Sequence, residues 1–221
     1  MIRFFDIFFS GIAILVLLPF MLPIMILLKL TGEHDIFYIQ KRVGIHGEDF
    51  GLLKFATMLR NSPNMTGGLY TQKNDPRLLP MGKFLRKTKI NELPQLVNVF
   101  MGQMSIIGYR PLVRKQFDYY TEEAKAILYH AKPGLSGLGS IAFRNEEAIL
   151  MDVEDKAAFD QNIIAPYKAA LELYYIKNRS LGLYFKLIIM TAQAVLHSNS
   201  RSWKEKLEEL PEIPEELEVY L

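Results

Sequence analysis

The chain of 221 residues contains no cysteine, which excludes disulfide bonds and thiolate metal sites and favours a reducing compartment. It has neither a Walker-type phosphate loop nor a serine-triad motif, so those two classes of chemistry have no support. Internal repeats and low-complexity linkers are also absent. Half of the residues are hydrophobic, which is high for a soluble protein and low for a polytopic membrane protein. We therefore expect one folded domain with a hydrophobic anchor.

Positive charge is scarce at the end of the chain, where residues 204–221 hold seven Glu and only two Lys. The net charge of +2 therefore hides a basic body and an acidic tail. The basic density is highest in residues 73–89, where six cations accompany one carboxylate. Such a surface is typical of proteins that bind phosphate-rich partners. No recognition helix or RNA motif accompanies it, so we do not expect nucleic acid as a partner.

Residues 4–28 form a long hydrophobic run, with Asp6 and Ser10 as its clearly polar members. Its length permits a membrane crossing. Pro19 and Pro23 lie in its second half, and basic residues flank both ends, so the positive-inside bias gives no orientation. These features predict a re-entrant helix that breaks near Pro19 and returns to the same face, with Ser10 available to a freed carbonyl. An ordinary transmembrane helix and a buried helix of a soluble protein remain alternatives.

The remaining sequence predicts a mostly helical α+β fold with a few short strands. Two strands, at 36–40 and 50–55, flank a glycine-containing turn. Polar residues 61–74 predict a mobile loop, and the two prolines after residue 204 predict a peripheral tail. Five helices are expected, at residues 78–88, from the N-cap Asn91 to Gly102, at 111–129, at 152–175 with a kink or boundary at Pro166, and at 181–196.

A lone acidic residue, Glu92, follows the basic run at a predicted helix start. Locally, Asn91 and Glu92 are explained as a helix cap and a charge that complements the helix dipole. A functional interpretation adds that helix N-termini bind phosphate and that Lys87 and Lys89 immediately precede the pair. A carboxylate among phosphates repels them unless a divalent cation lies between, so Glu92 suggests magnesium.

Three further cations are candidate phosphate ligands. Arg77 and Arg110 each lie beside a proline, which holds an arginine fork on a stiff turn. Lys54 ends the second predicted strand. A surface ion pair is the alternative explanation for each of the three. The glycines of residues 134–139 could bind an anion through backbone amides, although tight turns explain them equally well.

Taken in order, these stretches resemble the bacterial sugar transferases, specifically the monotopic polyprenyl-phosphate phosphoglycosyl transferases. The resemblance covers residues 3 to about 197. It is carried by Arg3-Phe4-Phe5-Asp6, Gln40-Lys41-Arg42-Val43-Gly44, Lys54-Phe55-Ala56-Thr57-Met58, Asp75-Pro76-Arg77, residues 82–88, residues 91–99, Gly102-Gln103-Met104-Ser105, Gly108-Tyr109-Arg110-Pro111 and residues 132–137.

The resemblance implies a re-entrant membrane helix-break-helix at residues 1–30 and a small cytoplasmic catalytic domain at 31–203 with amphipathic interface helices. The acidic tail, 204–221, completes the chain. The implied substrates are a UDP-sugar and polyprenyl phosphate, with Mg2+ as cofactor and membrane lipids as surroundings. The implied place is the cytoplasmic face of the cell inner membrane, at the first membrane step of a surface glycan such as exopolysaccharide, capsule or lipopolysaccharide. A homo-oligomer is also possible.

In that family an Asp-Glu pair carries the reaction, and the aspartate attacks the sugar-proximal phosphorus. Here Asn91 occupies the aspartate position, and an amide is a poor nucleophile. Several explanations stay open. Glu92 could take over the role, or phosphosugar could pass directly between bound substrates. The sequence could also be an engineered or naturally inactive form that still binds substrate.

Carried over residue by residue, the resemblance gives the other candidates their roles. Glu92 would bind magnesium or act in catalysis, and Asn91 marks the nucleophile site. Lys54, Arg77 and Arg110 would hold the diphosphate, and Arg144 is a candidate uridine or phosphate contact. Arg3, Asp6 and Pro19 would belong to the membrane hairpin.

Overall fold

The structure is a computed structural model that describes residues 1–66, 70–72, 74–196 and 203–221. Its first element is a 29-residue helix, α1 (Ile2–Leu30), which is long and apolar enough to cross a membrane by length and composition alone. The helix continues through Pro19 and Pro23, so the predicted break near Pro19 is not present in the backbone. Each proline lacks an amide donor, but the backbone on both sides of each proline remains helical.

The first helix packs lengthwise on the rest of the protein, and both of its ends contact the same folded body. Near the N-terminus, Arg3 donates hydrogen bonds to the carbonyls of Val99 and Phe100 at 2.6 and 2.7 Å. Near the C-terminus, Leu28 is buried in a cluster with Phe55. The opposite side of α1 exposes a continuous stripe of large apolar side chains, among them Phe4, Phe8, Ile12, Leu15, Leu18, Leu22 and Ile26.

A two-stranded antiparallel hairpin follows, as the sequence predicted. Strand β1 (Phe37–Val43) pairs with β2 (Asp49–Phe55), and Phe37 lies opposite Phe55. The connecting turn, Ile45–Gly47, needs a left-handed backbone at Gly47, where a Cβ would also meet the Tyr129 ring at 2.8 Å. This glycine therefore lets the hairpin pack closely on the domain.

Short elements then build the body of the domain. In chain order they are α2 (Gly82–Lys87), α3 (Gln95–Met101), β3 (Ser105–Ile107), α4 (Arg114–Phe117), α5 (Glu122–Leu128), β4 (Gly134–Ser136), α6 (Leu138–Ala142), α7 (Glu146–Met151) and α8 (Lys156–Phe159). Strands β3 and β4 pair in parallel. The helix predicted at 111–129 is in fact two helices, because Thr121 starts α5 by accepting a hydrogen bond from the Ala124 amide.

Two long helices, α9 (Ala165–Lys177) and α10 (Leu181–Leu196), complete the core. A π-helical turn at Asp160–Ile164 leads into α9, and Pro166 lies at its first turn, so the predicted boundary at Pro166 is confirmed. Helix α10 has the bounds that the sequence predicted. The largest buried cluster joins residues of these two helices, including Leu171, Tyr175, Tyr184 and Leu187, to Ile107 and Leu138.

The C-terminal tail is not peripheral, contrary to the sequence expectation. Trp203, Leu207, Leu217 and Leu221 are buried in the main cluster. The last helix, α11 (Glu215–Glu218), carries Leu217 into it. All seven glutamates of the segment are exposed. The apolar residues between the glutamates therefore bind the tail to the core while its charges face solvent. Within the predicted mobile loop, residues 67–69 and 73 lie outside the described residues.

Candidate active site

Glu92 is the centre of the candidate site. It ends a 3-10 turn, Ile90–Glu92, that lies between α2 and α3, and the preceding residue Lys89 has a left-handed backbone with φ 60°. The predicted helix therefore does not begin at Asn91, because α3 starts at Gln95 after Pro94. The tight turn buries Asn91 and leaves Glu92 partly accessible.

Two distant parts of the chain bring cations to Glu92. Lys54, near the end of β2, places Nζ 3.8 Å from Glu92 Oε1. Arg110, which follows β3, places Nη2 3.9 Å from the same oxygen. Neither the Lys54 ammonium nor the Arg110 guanidinium makes a hydrogen bond within the part of the chain that the structure describes. Their donors are consequently available to a bound anion, and the diphosphate contact expected for both residues stays a prediction.

The charges of this group act strongly on one another. Burial raises the pKa of the Glu92 carboxyl, but Lys54, Arg110, Lys89 and Arg42 outweigh burial and lower that pKa to about 2. Burial, together with repulsion from the neighbouring arginines, lowers the pKa of Lys54 to about 7. The carboxylate is therefore ionised at neutral pH. Because cations outnumber it, the site electrostatically favours additional negative charge, such as a diphosphate.

Arg42 was not among the site residues predicted from the sequence. Burial and repulsion from Arg110 lower the pKa of Arg42 to about 10. Arg42 lies on β1, and its guanidinium donates to the Pro111 carbonyl at 3.1 Å. The pairing of the two hairpin strands does indicate where Arg42 lies. Tyr38 lies opposite Lys54, and Arg42 is four residues after Tyr38, so strand alternation places Arg42 on the Lys54 face.

Asn91 is buried, and its Oδ1 has no hydrogen-bond partner among the described residues. An orphaned buried oxygen next to a carboxylate fits a hard cation, which prefers oxygen ligands. Across the described residues there is no group of three or more His, Cys, Asp or Glu that could hold a metal ion. A magnesium ion here would thus rely on Glu92, the Asn91 oxygen and oxygens of the substrate.

Arg77 is not placed with this group as a free phosphate ligand. It is 1% exposed, and its guanidinium binds both oxygens of Asp75 at 2.6 and 2.8 Å. Further donors reach the carbonyls of Ser62 and Tyr70 at 3.2 and 2.8 Å. The Arg77 side chain therefore holds the segment around Ser62 and Tyr70 together, and the geometry favours a structural role over the predicted diphosphate contact.

Arg144 lies half-buried between α6 and α7. It makes no ion pair with Glu92, and no described residue pairs with it. The acidic residues that follow it are engaged elsewhere: Glu146 accepts a hydrogen bond from Lys168 at 2.6 Å, and Glu147 pairs with Arg86. The structure therefore does not bring Arg144 into the cluster, and its contact with substrate stays a prediction.

Two of the residues predicted for the membrane hairpin, Arg3 and Asp6, anchor α1 to the body, whereas Pro19 is exposed. Asp6 is buried, and its Oδ1 accepts hydrogen bonds of 2.9 Å from the Ser105 hydroxyl, the Ile106 amide and the Tyr184 hydroxyl. These three bonds tie α1 to both β3 and α10. The Ser10 hydroxyl donates to the Asp6 carbonyl at 2.5 Å, one turn earlier, and not to a carbonyl near the prolines.

Tyr109, the residue before Arg110, belongs to the buried core. It is 1% exposed and lies in a cluster with Leu112, Phe117 and Tyr120. Its ring fixes the strand end from which Arg110 extends toward Glu92. The hydroxyl of Tyr109 is buried without a hydrogen-bond partner in the described chain.

Several known proteins are similar to this chain in sequence. The family model for "Bacterial sugar transferase" matches residues 1–198. The exopolysaccharide production protein ExoY of Rhizobium meliloti is 32% identical over 208 residues, which is 87% of this chain and 84% of ExoY. The undecaprenyl-phosphate galactose phosphotransferase of Salmonella typhimurium is 32% identical over 88% of this chain and 40% of that protein. The UDP-glucose:undecaprenyl-phosphate glucose-1-phosphate transferase of Xanthomonas campestris is 32% identical over 84% of this chain and 36% of that protein.

Proposed function

This chain belongs to the bacterial sugar transferase family, and we propose that it transfers a sugar-1-phosphate from a UDP-sugar to polyprenyl (undecaprenyl) phosphate and releases UMP. The relatives from Salmonella and Xanthomonas carry names that describe such transfers to undecaprenyl phosphate. The observation that carries the proposal is the position of Glu92 between Lys54 and Arg110, at 3.8 and 3.9 Å. The product would begin a surface glycan.

The reaction exchanges one phosphorus–oxygen bond for another. An oxygen of the polyprenyl phosphate bonds to the sugar-bearing phosphorus, and the bond from that phosphorus to the bridging oxygen breaks. The bridging oxygen leaves with UMP, so atoms and charge balance. Lys54 and Arg110 would hold the diphosphate and neutralise the charge that spreads over its oxygens, and such contacts stabilise a transition state most in a partly buried site.

Two routes lead to this product, and they differ in the role of Glu92. In one, the ionised Glu92 carboxylate attacks first and carries the phosphosugar until the lipid phosphate displaces it. In the other, the lipid phosphate attacks directly while Glu92 positions the substrates. Acid quenching during turnover with sugar-labelled UDP-sugar distinguishes the routes, because only the first leaves label on the protein.

Magnesium fits the donors of this site. Glu92 and the Asn91 Oδ1 would hold the ion together with phosphate oxygens of the substrate, since magnesium usually binds through one or two protein oxygens and substrate phosphates. When bound, the ion supplies Lewis acidity and neutralises phosphate charge. A lone Glu92 would otherwise repel the diphosphate that the surrounding cations attract.

A second candidate function is a catalytically silent relative that binds nucleotide sugar or lipid phosphate and supports a glycan assembly complex. The neutral Asn91 in the nucleophile position favours it. The proposed membrane enzyme and the silent binder make different predictions for turnover, because only the enzyme releases UMP.

UMP release from purified protein in detergent, with magnesium, polyprenyl phosphate and a panel of UDP-sugars, separates the two. If the protein is an enzyme, the wild type should release UMP and Glu92→Gln should not. If the protein is a silent relative, the wild type should release no UMP, whereas Asn91→Asp should release it. UMP release that survives Glu92→Gln unchanged would contradict the role given to Glu92.

We further propose that α1 inserts its apolar stripe into the cytoplasmic leaflet while both of its ends stay on the cytoplasmic side, with residues 31–203 as the catalytic domain outside. Two observations support this. Both ends of α1 contact the same body, through Arg3 and Leu28, and the opposite side exposes the apolar stripe. Reporter tags placed before Phe4 and after Leu28 should both be accessible from the cytoplasm. Labelling of the two tags from opposite sides would rule out this topology.

A further inference from the structure

Glu172 is a buried carboxyl that the proposed reaction leaves without a role. It lies on α9, and its side chain is completely shielded from solvent. A buried ionisable group is costly unless hydrogen bonds or ion pairs compensate it. The buried position of Glu172 therefore requires a hydrogen-bonding partner that compensates the cost of burial.

That partner is the backbone of Arg110. Glu172 Oε1 accepts a hydrogen bond from the Arg110 amide at 3.2 Å. The neighbouring residues of the same segment are also held, since the Gly108 amide donates to the Ser136 carbonyl at 2.9 Å and the Tyr109 carbonyl accepts from the Gly134 amide at 2.8 Å. The carboxyl of Glu172 thus completes the fixation of the strand end from which the Arg110 side chain reaches Glu92.

The glycines of the 134–139 segment explain how the carboxyl reaches this place. A Cβ on Gly139 would lie 2.5 Å from Glu172 Oε1, and a Cβ on Gly137 would lie 3.5 Å from Glu172 Oε2. Contacts below 3 Å are not tolerated without movement, so Gly139 leaves the space that the carboxyl fills. The start of α6 and the carboxyl on α9 are therefore fitted to each other.

Two cations, Lys168 and Arg110, act on Glu172 electrostatically. Lys168, one turn earlier on α9, donates to Glu146 at 2.6 Å. Among the described residues, Glu172 has no ion pair, and its Oε2 has no hydrogen-bond partner. Burial therefore raises the pKa of this carboxyl to about 8. A neutral carboxyl can accept the amide hydrogen bond without repelling a diphosphate held by Arg110.

We propose that Glu172 is a positioning residue for Arg110: by accepting the Arg110 amide hydrogen bond, it keeps the Arg110 guanidinium beside Glu92 and on the diphosphate of the substrate. This inference rests on the proposed function and extends it to a residue on α9. Glu172 does not touch the substrate. It acts through Arg110.

A double-mutant cycle tests this dependence, with UDP as the ligand and isothermal titration calorimetry as the measurement. Arg110→Ala and Glu172→Leu should each weaken UDP binding by about tenfold, since charge-assisted phosphate contacts are among the stronger hydrogen bonds. The double variant should bind within about twofold of Arg110→Ala, because residues that act through one contact are not additive. Losses that multiply in the double variant, or wild-type binding by Glu172→Leu, would overturn the inference.

Two further variants guard against a folding defect. Glu172→Gln keeps the acceptor and the shape of a neutral carboxyl, and it should bind UDP within about twofold of the wild type. Gly139→Ala displaces the carboxyl without changing it, and it should weaken UDP binding in the wild-type background but not in Arg110→Ala. A Gly139→Ala protein that binds UDP normally would contradict the positioning role.

Amide hydrogen exchange separates this inference from the proposed function. The Arg110 amide should be protected in the wild type and in Glu172→Gln and should exchange faster in Glu172→Leu, whether or not UDP binds. If the wild type binds no UDP and releases no UMP, the proposed function fails while the exchange result still decides the contact. Equal protection of the Arg110 amide in all three proteins would contradict the positioning role of Glu172 and would leave the proposed function unaffected.

Discussion

The Lys54 ammonium lies 3.8 Å from the Glu92 carboxylate, although one belongs to a strand of the N-terminal hairpin and the other to the turn before α3. Burial penalises the charge of Lys54, and the carboxylate of Glu92 supports it. An ammonium that lacks hydrogen bonds in this setting is prepared for a second anion. The diphosphate of the substrate is the anion that the family membership suggests.

We expect Lys54→Met to lower UMP release by about 100-fold, the usual cost of removing one group that stabilises transition-state charge. Methionine keeps the length of the side chain and removes its charge. Lys115→Met is the matched control, because Lys115 is exposed on α4 and lies outside the site, and it should retain activity within about twofold. Wild-type UMP release by Lys54→Met would show that the ammonium does not act on the substrate.

The sequence singled out Lys54 and Arg110 as phosphate ligands. The structure brings both close to Glu92, and their contact with phosphate stays a prediction. Arg77 could not be separated from them by local pattern, because an arginine beside a proline serves a phosphate and a buried aspartate equally well. The Asp75–Arg77 pair is local in the sequence, but its burial and the hydrogen bonds from Arg77 to the Ser62 and Tyr70 carbonyls depend on tertiary packing.

The same limit explains two other misses. Glu172 looks like an ordinary polar residue of a helix, and its burial depends on the space left by Gly139 in a different part of the chain. The acidic tail was expected to be peripheral because of its two prolines, but Leu217 and Leu221 are buried. By contrast, the bounds of α10 and the pairing of β1 with β2 follow from local periodicity and were predicted well.

Arg77→Ala should destabilise the fold by about 3–5 kcal/mol, because it leaves the Asp75 charge buried and unpaired. Thermal unfolding in detergent measures this effect. Arg60→Ala is the matched control, since the Arg60–Asp35 pair has the same 2.6 Å separation but is exposed, and it should lower the Tm much less than Arg77→Ala does. If Arg77→Ala kept the wild-type Tm and lost only UDP binding, the residue would belong to the diphosphate site after all.

Asp6→Ala should loosen α1 from the body. It removes the single acceptor of three hydrogen bonds, from Ser105, Ile106 and Tyr184, and each buried donor left unsatisfied costs about 1–3 kcal/mol. We expect a lower Tm and faster proteolysis near the N-terminus than in Asp118→Ala, whose aspartate is exposed. Equal Tm values for the two variants would mean that α1 is held by its apolar contacts alone.

The stability of the protein should fall with rising pH through Glu172. Burial raises the pKa of this carboxyl from 4.5 to about 8, so between these values the unfolded state releases a proton that the native state keeps. The free energy of unfolding therefore decreases as pH rises across this window, by at most about 1.4 kcal/mol per pH unit. Below pH 4.5 the contribution to stability is complete, and above pH 8 it is lost.

Glu172→Gln removes this titration and leaves the nearby groups Lys168, Arg110, Tyr109 and Tyr120 unchanged. Thermal unfolding at several values between pH 5 and about pH 8.5 should consequently show a smaller loss of Tm with pH in the variant than in the wild type. Parallel Tm profiles for the two proteins would mean that the native carboxyl is already ionised at neutral pH.

The most direct test of the central claim is a crystal or cryo-electron microscopy structure with UDP and magnesium bound. We expect the diphosphate to contact Lys54 and Arg110 and to lie next to Asn91 and Glu92, with Arg77 still paired to Asp75. A diphosphate bound away from Glu92, with Lys54 and Arg110 unengaged, would contradict it.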